Sequence, residues 1–185
     1  MSNTALLVID AQVGIIDGPS IGPVYKKEQV LGVMKSVIEK ARELKVPVIY
    51  IQDLDVGSEN LEDHHIHPDI FPLPDDLIVK KTATNAFYQT ELQDRLQVLE
   101  VEHLVVIGVK TEYCVDTTSR GATVLGYDVT LIADGHSTTD NKVLTAEQII
   151  AHHNRNLHGL DNVSHFILVR ESSENIFEHK HLEYK

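Results

Sequence analysis

Short apolar runs recur along the chain at intervals typical of alternating strands and helices. The first run, residues 5–9, is continuously apolar and ends at Asp10, which predicts a central strand buried on both faces. Five more runs, rich in β-branched residues, predict further strands because each is short and bounded by polar residues, glycine or proline. The six predicted strands cover residues 5–9, 46–51, 77–80, 103–109, 127–133 and 163–169.

Helical periodicity fills most of the intervals between these runs. Apolar residues at helical spacing predict a first helix over residues 30–41 and later helices around residues 92–99 and 149–157. Another helix is predicted over residues 112–125, where Gly126 ends it. Strands that alternate with helices in this way predict a three-layer α/β/α fold with a six-stranded parallel sheet and right-handed crossovers.

Two segments show no clear periodicity. Residues 52–76 form a long predicted loop, and such loops are uncommon in compact domains unless they border a binding site. The tail after Glu171 is charged, and its pattern fits either an arm or a frayed end. Because the sequence shows no internal repeat or linker, we predict that residues 1–185 form a single domain.

Composition and charge narrow the classes of function. A chain of 185 residues, 42% of them hydrophobic, can bury the core of one domain. The net charge of −12 argues against a nucleic-acid or anionic-membrane partner and leaves a small-molecule substrate open. One cysteine excludes an intrachain disulfide, and the sequence has neither an apolar run of about 18 residues nor a signal-peptide pattern. We therefore expect a cytoplasmic protein.

Three reactive side chains follow predicted strands directly. Asp10 ends the first strand, Lys81 follows the third, and Cys114 follows the fourth after a tight turn. Because the carboxyl ends of parallel strands meet at one edge of the sheet, where such proteins bind ligands, we expect the three side chains to lie together. The alternative is a surface Asp–Lys pair of little energetic value and a cysteine buried as a small hydrophobe.

This trio is chemically sufficient for a cysteine hydrolase. The start of a helix favours an anion, and a nearby lysine lowers the pKa of a thiol, so we expect Cys114 to be biased towards thiolate. Asp10 can take the thiol proton, return it to a departing amine, and later activate the water that hydrolyses a thioester. Backbone N–H groups at the helix start can hold the developing oxyanion.

Three motifs resemble the isochorismatase-like cysteine hydrolases, a family that includes nicotinamidases and related amidases. They are residues 6–12 (LLVIDAQ), Lys81 followed by residues 85–87 (NAF), and residues 108–115 (GVKTEYCV). The resemblance covers nearly the whole chain, and three motifs in the right order are far more specific than any one of them.

The resemblance implies the sheet order 3-2-1-4-5-6 and a catalytic triad of Asp10, Lys81 and Cys114. It also implies a cis peptide bond between Val109 and Lys110, which turns the backbone amides of Lys110 and Cys114 towards the oxyanion. The residues predicted to line the substrate pocket are Gln12, Asn85, Phe87 and Tyr113. We expect Gln12 to orient Asp10. The two aromatic residues, Phe87 and Tyr113, fit a packing role equally well.

Lys80 is a rival for the lysine of the triad. Adjacent residues of a strand face opposite ways, so only one of Lys80 and Lys81 can point towards the site. The spacing to residues 85–87 resembles the family when it is counted from Lys81, and we therefore favour Lys81.

A metal site is not expected. Nicotinamidases carry an Asp-x-His metal motif, whereas residues 53–55 of this chain read Asp-Leu-Asp, so the first histidine is absent. Asp53, Asp55 and the histidines of residues 64–67 remain conceivable ligands, but a His-rich loop is usually only solvated. The substitution weakens nicotinamidase as the specific activity. The presence of Cys114 argues against isochorismate, because the resemblance implies that hydrolysis of that vinyl ether does not require the thiol.

The favoured hypothesis is an amidohydrolase without a cofactor that cleaves the C–N bond of a small non-peptide amide through a thioester. The resemblance also implies a homo-oligomer. One alternative is a small-molecule-binding or regulatory protein that keeps the fold without turnover. A redox-sensing thiol is disfavoured, because the chain has no second cysteine to resolve a sulfenic acid.

Overall fold

The apolar runs of the sequence form the strands of one sheet in the computed structural model, which describes residues 3–18, 22–58 and 61–184. Six strands lie within a few residues of the predicted bounds at both ends. One short strand was not predicted. The strands are β1 (Thr4–Ile9), β2 (Val48–Asp53), β3 (Leu77–Lys81), β4 (His103–Val109), β5 (Asp128–Ser137), β6 (Asp161–Asn162) and β7 (His165–Arg170).

The predicted helices lie between these strands, and several short turns join them. Four α-helices correspond to predicted ones: α2 (Lys27–Glu43), α3 (Leu92–Val98), α4 (Asp116–Val124) and α5 (Ala146–Leu157). A further short helix, α1 (Val13–Ile16), was not predicted. A single π-helical turn, Thr111–Val115, precedes α4, and 3₁₀ turns occupy Glu62–His64, Pro68–Ile70 and Lys180–Glu183.

The sheet has the order β3-β2-β1-β4-β5-β7-β6. The pairs are parallel except for β6 and β7, which are antiparallel. The predicted three-layer fold is confirmed, and the sheet is mostly parallel. The prediction of six strands is wrong, because the described residues form a sheet of seven. The additional strand consists of Asp161 and Asn162 alone, and two polar residues produce no apolar run in the sequence.

Strand β1 runs through the middle of the core. Residues 5–9 have no solvent exposure, as predicted for a strand covered on both faces. Leu6 and Val8 pack in one layer with the apolar face of α2, whereas Leu7 and Ile9 pack in the other layer with residues of α3 and α4. The alternation of side chains along the strand therefore builds both layers of the core.

The long loop and the tail belong to the layer that contains α2. Ile66 and Ile70 of the loop are buried there, and so are Ile176 and Phe177 of the tail. The loop residues cover part of the sheet face where a crossover helix would otherwise lie. The tail is neither a free arm nor a frayed end, because Ile176 and Phe177 anchor it in the core.

The carboxyl end of β4 approaches β1 very closely. Gly108 has a φ of 140°, and a Cβ atom at this position would lie 2.2 Å from the backbone oxygen of Ile9. The position therefore requires glycine on both conformational and steric grounds. This close approach places the residues after β4 beside the end of β1. No helix among the described residues combines the length and the apolar character needed to cross a membrane.

Candidate active site

The three side chains predicted from the strand ends meet at the carboxyl edge of the sheet. Asp10 directly follows β1, Lys81 is the last residue of β3, and Cys114 lies in the π-helical turn after β4. The Nζ atom of Lys81 lies 2.9 Å from Oδ2 of Asp10 and 3.5 Å from Sγ of Cys114. One ammonium group therefore contacts both the carboxylate and the thiol.

A fourth side chain, Asp53, joins this group. It is the last residue of β2, and its Oδ2 atom lies 2.5 Å from Nζ of Lys81. The ammonium group, whose side chain has no solvent exposure, is thus shared between two carboxylates. The sequence analysis considered Asp53 only as a metal ligand. The predicted second strand ended at residue 51, two residues before Asp53, so the apolar pattern did not predict the contact of Asp53 with Lys81.

The structure distinguishes Lys81 from its neighbour Lys80. Lys81 is 2% exposed, whereas Lys80 is exposed to solvent, as expected for adjacent residues of a strand. Only Lys81 therefore points towards Asp10 and Cys114.

The raised pKa of Asp10 suits this carboxylate to accept a proton near neutral pH. Burial raises the pKa of Asp10 from its ordinary value of 3.8 to about 6, although the charge of Lys81 and a hydrogen bond with Cys114 oppose the rise. Burial acts against protonation of Lys81, but the charge of Asp10 and hydrogen bonds to Asp53 and Asp10 outweigh it and raise the pKa of that lysine above its ordinary value. At neutral pH the site therefore holds an ionised carboxylate whose basicity is higher than usual, beside a permanent cation.

The side chain of Cys114 is a neutral thiol in the resting site. Burial, followed by the negative charge of Asp10, raises the pKa of Cys114 to about 12, although Lys81 acts in the opposite direction. The predicted bias towards thiolate is therefore wrong for the resting site. The lysine is present as predicted, but its effect on the thiol is smaller than the combined effect of burial and the adjacent carboxylate.

The turn that carries Cys114 begins with an unusual backbone geometry. The peptide bond between Val109 and Lys110 is cis, as the resemblance implies. The backbone oxygen of Lys110 accepts hydrogen bonds from the N–H groups of Tyr113 and Val115 at 3.2 and 3.3 Å. The turn is held by these bonds, and the oxyanion role of the Lys110 and Cys114 amides stays a prediction.

Gln12 has a different contact from the one predicted. Its side chain is fully buried, and Nε2 donates to the backbone oxygens of Asp53 and His64 at 3.0 and 2.8 Å. Its Oε1 accepts from the N–H of Asp53 at 2.8 Å. These bonds join the end of β2 to the middle of the long loop. The side chain of Gln12 therefore positions Asp53, which in turn contacts Lys81. Its direct bond to Asp10 is a backbone one, from the N–H of Gln12 to the backbone oxygen of Asp10 at 2.7 Å.

The other predicted pocket residues have packing contacts or face solvent. Asn85 accepts a hydrogen bond from the N–H of Phe87 at 2.9 Å. Phe87 stacks on Tyr127 with 5.9 Å between ring centroids, and Tyr127 precedes β5 at the amino edge of the sheet. Tyr113 is 57% exposed beside Cys114. Contact of these side chains with a substrate stays a prediction.

A metal site of the kind implied for nicotinamidases does not fit these residues. Asp53 is bonded to Lys81, and its Oδ1 accepts from the N–H of the exposed Asp55. The Nδ1 atom of His64 lies 3.1 Å from a backbone oxygen, that of Val56. In the described part of the chain, the side chains around Cys114 that are close enough to share an ion are Asp10, Asp53 and Cys114 itself. This set lacks histidine, and the ammonium of Lys81 already contacts all three.

One known protein family matches most of this chain. The family model described as the isochorismatase domain matches residues 4–152, which is most of the chain. The chain belongs to the isochorismatase family. A curated relative, the uncharacterized isochorismatase family protein YddQ of Bacillus subtilis (strain 168), is 29% identical over 156 residues, which cover 79% of this chain and 86% of the relative.

Other members of the isochorismatase family extend the comparison. The streptothricin hydrolase of Streptomyces noursei is 32% identical over 140 residues, which cover 74% of this chain and 55% of that protein. A crystal structure of an isochorismatase family protein is 36% identical, with a TM-score of 0.83, over 91% of this chain and 98% of that one. The predicted family is confirmed, and this chain is a member of a family of hydrolases.

The residues that match the isochorismatase domain include the candidate active site but not the last strands or the tail. Asp10, Lys81 and Cys114 lie within the matched residues, as does Asp53. The match ends within α5, so β6, β7 and the tail lie beyond it.

Proposed function

We propose that the chain is a cysteine-dependent amidohydrolase that cleaves the C–N bond of a small non-peptide amide through a thioester. The observation that supports this activity is the convergence of Asp10, Lys81 and Cys114 at one sheet edge, with Lys81 in contact with both of the other groups. The proposal includes a homo-oligomer and no cofactor. Relatives in the family include a streptothricin hydrolase, which is consistent with hydrolytic chemistry.

The first half of the reaction forms the thioester. Because the resting thiol is neutral, its proton passes to the carboxylate of Asp10 as Sγ of Cys114 attacks the carbonyl carbon. The carbonyl electron pair moves to oxygen, where the N–H groups of Lys110 and Cys114 stabilise the negative charge. The C–N bond then breaks, and Asp10 gives its proton to the departing nitrogen.

The second half releases the acid. Asp10, again a carboxylate, takes a proton from water as the water oxygen attacks the thioester carbon. The C–S bond breaks, and the sulfur of Cys114 recovers the proton from Asp10. Lys81 stays protonated throughout and stabilises the negative charge that moves between Asp10 and the sulfur. Asp53 holds the ammonium in place.

A binding or regulatory protein is the second candidate. The observation that favours it is the raised pKa of Cys114, since an inert thiol in a buried site shows the same property. Such a protein would be stabilised by its ligand without releasing a product.

The test measures ammonia or amine release from a panel of small amides and ureido compounds, with wild type and Cys114→Ala side by side. We expect release by the wild type alone, and intact-protein mass spectrometry should show an acyl adduct on Cys114 in rapidly quenched samples. Release by Cys114→Ala at the wild-type rate would refute the thiol mechanism. Thermal stabilisation by a panel compound that is recovered unchanged would favour the binding protein.

A further inference from the structure

A cluster of histidines lies at the amino edge of the sheet, opposite the candidate active site. His103 and Asp128 are the first residues of β4 and β5, and His165 is the first residue of β7. His179 and His181 come from the tail that folds back onto this edge. The cluster takes no part in the proposed hydrolysis, and most of its members lie beyond the residues that match the family model.

Three side chains of this cluster have the arrangement of a metal site. Asp128, His179 and His181 each offer one ligand atom, and these atoms lie within 4.8 Å of one another. The Nε2 atom of His179 is 2.7 Å from Oδ2 of Asp128. Because a carboxylate only accepts, a proton bridges these two atoms in the metal-free protein. A metal ion bound between them would replace that proton.

The third ligand is held in a suitable tautomer. The Nε2 atom of His181 lies 2.9 Å from the backbone oxygen of Val129, so Nε2 carries the proton in the neutral ring. The lone pair is therefore on Nδ1. Metal-binding histidines usually donate their other ring N–H to a carbonyl or carboxylate in this way, which fixes the ring orientation.

The surrounding groups contact the second oxygen of Asp128 and the ring of His179. The second oxygen of Asp128, Oδ1, accepts from the N–H of Phe166 at 3.4 Å and lies 3.4 Å from Nδ1 of His165. His103 stacks on His179 with 4.7 Å between ring centroids, while its own two nitrogens contact the hydroxyls of Thr4 and Thr130. His103 therefore forms a wall of the site.

Two of the three ligand side chains, Asp128 and His181, are buried, whereas that of His179 is partly accessible to solvent. The side chain of Asp128 is 1% exposed and that of His179 is 10% exposed. The positive charge of Arg170, which also acts on this region, is paired with Glu174 at 3.1 Å.

The geometry points to a second site, in which Asp128, His179 and His181 bind one divalent transition-metal ion of the zinc class. Two imidazoles and a carboxylate are ligands that zinc accepts, and a water molecule would complete four-coordination. The ion would connect the tail to the start of β5 and thereby stabilise the fold. This site is independent of the proposed amidohydrolase activity.

The test uses zinc as the probe and the full chain with Cys114→Ala, which removes the other group of adjacent ligand atoms. After treatment with a chelator, calorimetric titration should give one zinc ion per chain, and zinc should raise the melting temperature. His179→Gln keeps a side-chain N–H that can donate to Asp128 but loses the imidazole. We expect it to weaken zinc binding by at least about 10-fold. His152→Gln, which replaces an exposed histidine of α5, is the matched control and should bind as the parent does.

A second measurement keeps all the histidines. Cobalt(II) bound at the site should give the intense visible absorption of a four-coordinate ion, and zinc should displace it. Absence of zinc at one ion per chain would overturn the proposal, as would equal affinity in His179→Gln and the parent. A weak, six-coordinate cobalt spectrum would also overturn it, because it would indicate surface binding only.

Discussion

The buried carboxylate of Asp10 should make the protein less stable at neutral pH than it would be without that charge. Its pKa is raised from 3.8 to about 6 in the folded state, so folding disfavours the ionised form. Above about pH 6 the group is ionised in both folded and unfolded protein, and the full penalty applies; below about pH 3.8 it is neutral in both, and the penalty vanishes. We therefore expect Asp10→Asn to raise the free energy of unfolding by about 3 kcal/mol at pH 7.5 and by less than about 1 kcal/mol at pH 4.

The substitution does not leave the ammonium of Lys81 without a partner, because Asp53 still contacts it at 2.5 Å. The stability gain should be measured by urea unfolding at both pH values, with the exposed Asp75→Asn as the control for a general loss of negative charge. Removal of the base should at the same time lower kcat by about 10²- to 10⁴-fold. A variant that is no more stable than wild type at pH 7.5, or one with the same gain at both pH values, would refute the reasoning.

Two further predictions concern the pH dependence and the lysine. In the wild type, kcat/KM should rise with pH around a midpoint of about 6 as Asp10 ionises. It should show no second rise up to about pH 9, because the pKa of Cys114 is about 12. A midpoint near pH 4, or a rise near pH 8.5, would contradict this assignment. Lys81→Ala leaves two adjacent carboxylates without their cation. It should therefore lower the free energy of unfolding, measured in urea titrations, by about 3–5 kcal/mol. It should also lower kcat/KM by at least about 100-fold. Lys80→Ala, at the exposed neighbouring position, should match wild type in both measurements, and equal losses in the two variants would mean that the lysine of the site is wrongly assigned.

Much of the geometry of the candidate site could be predicted because it depends on local pattern. Asp10, Lys81 and Cys114 each follow an apolar run, and the ends of parallel strands meet at one edge regardless of the loops between them. The choice of Lys81 over Lys80 also followed from local geometry. Adjacent residues of a strand face opposite ways, and the spacing to residues 85–87 favours Lys81. The fold class and the family were predictable for the same reason.

The contacts that could not be predicted depend on how distant segments pack. The pairing of Asp53 with Lys81 requires the register between β2 and β3, and no single run reveals that register. The raised pKa of Cys114 follows from the burial of the site and the direction of Asp10, neither of which is a property of spacing. The histidine cluster forms only when the tail reaches the start of β5.

The hydrogen bonds of Gln12 have a consequence for how the protein can diversify. One side chain joins the end of β2, which carries Asp53, to the loop at His64, and the same loop buries Ile66 and Ile70 in the core. A segment anchored in this way cannot swing open as a unit without exposing apolar surface. Substitutions at its buried positions therefore lower the free energy of unfolding, and evolutionary variation should accumulate first at the exposed positions of the loop.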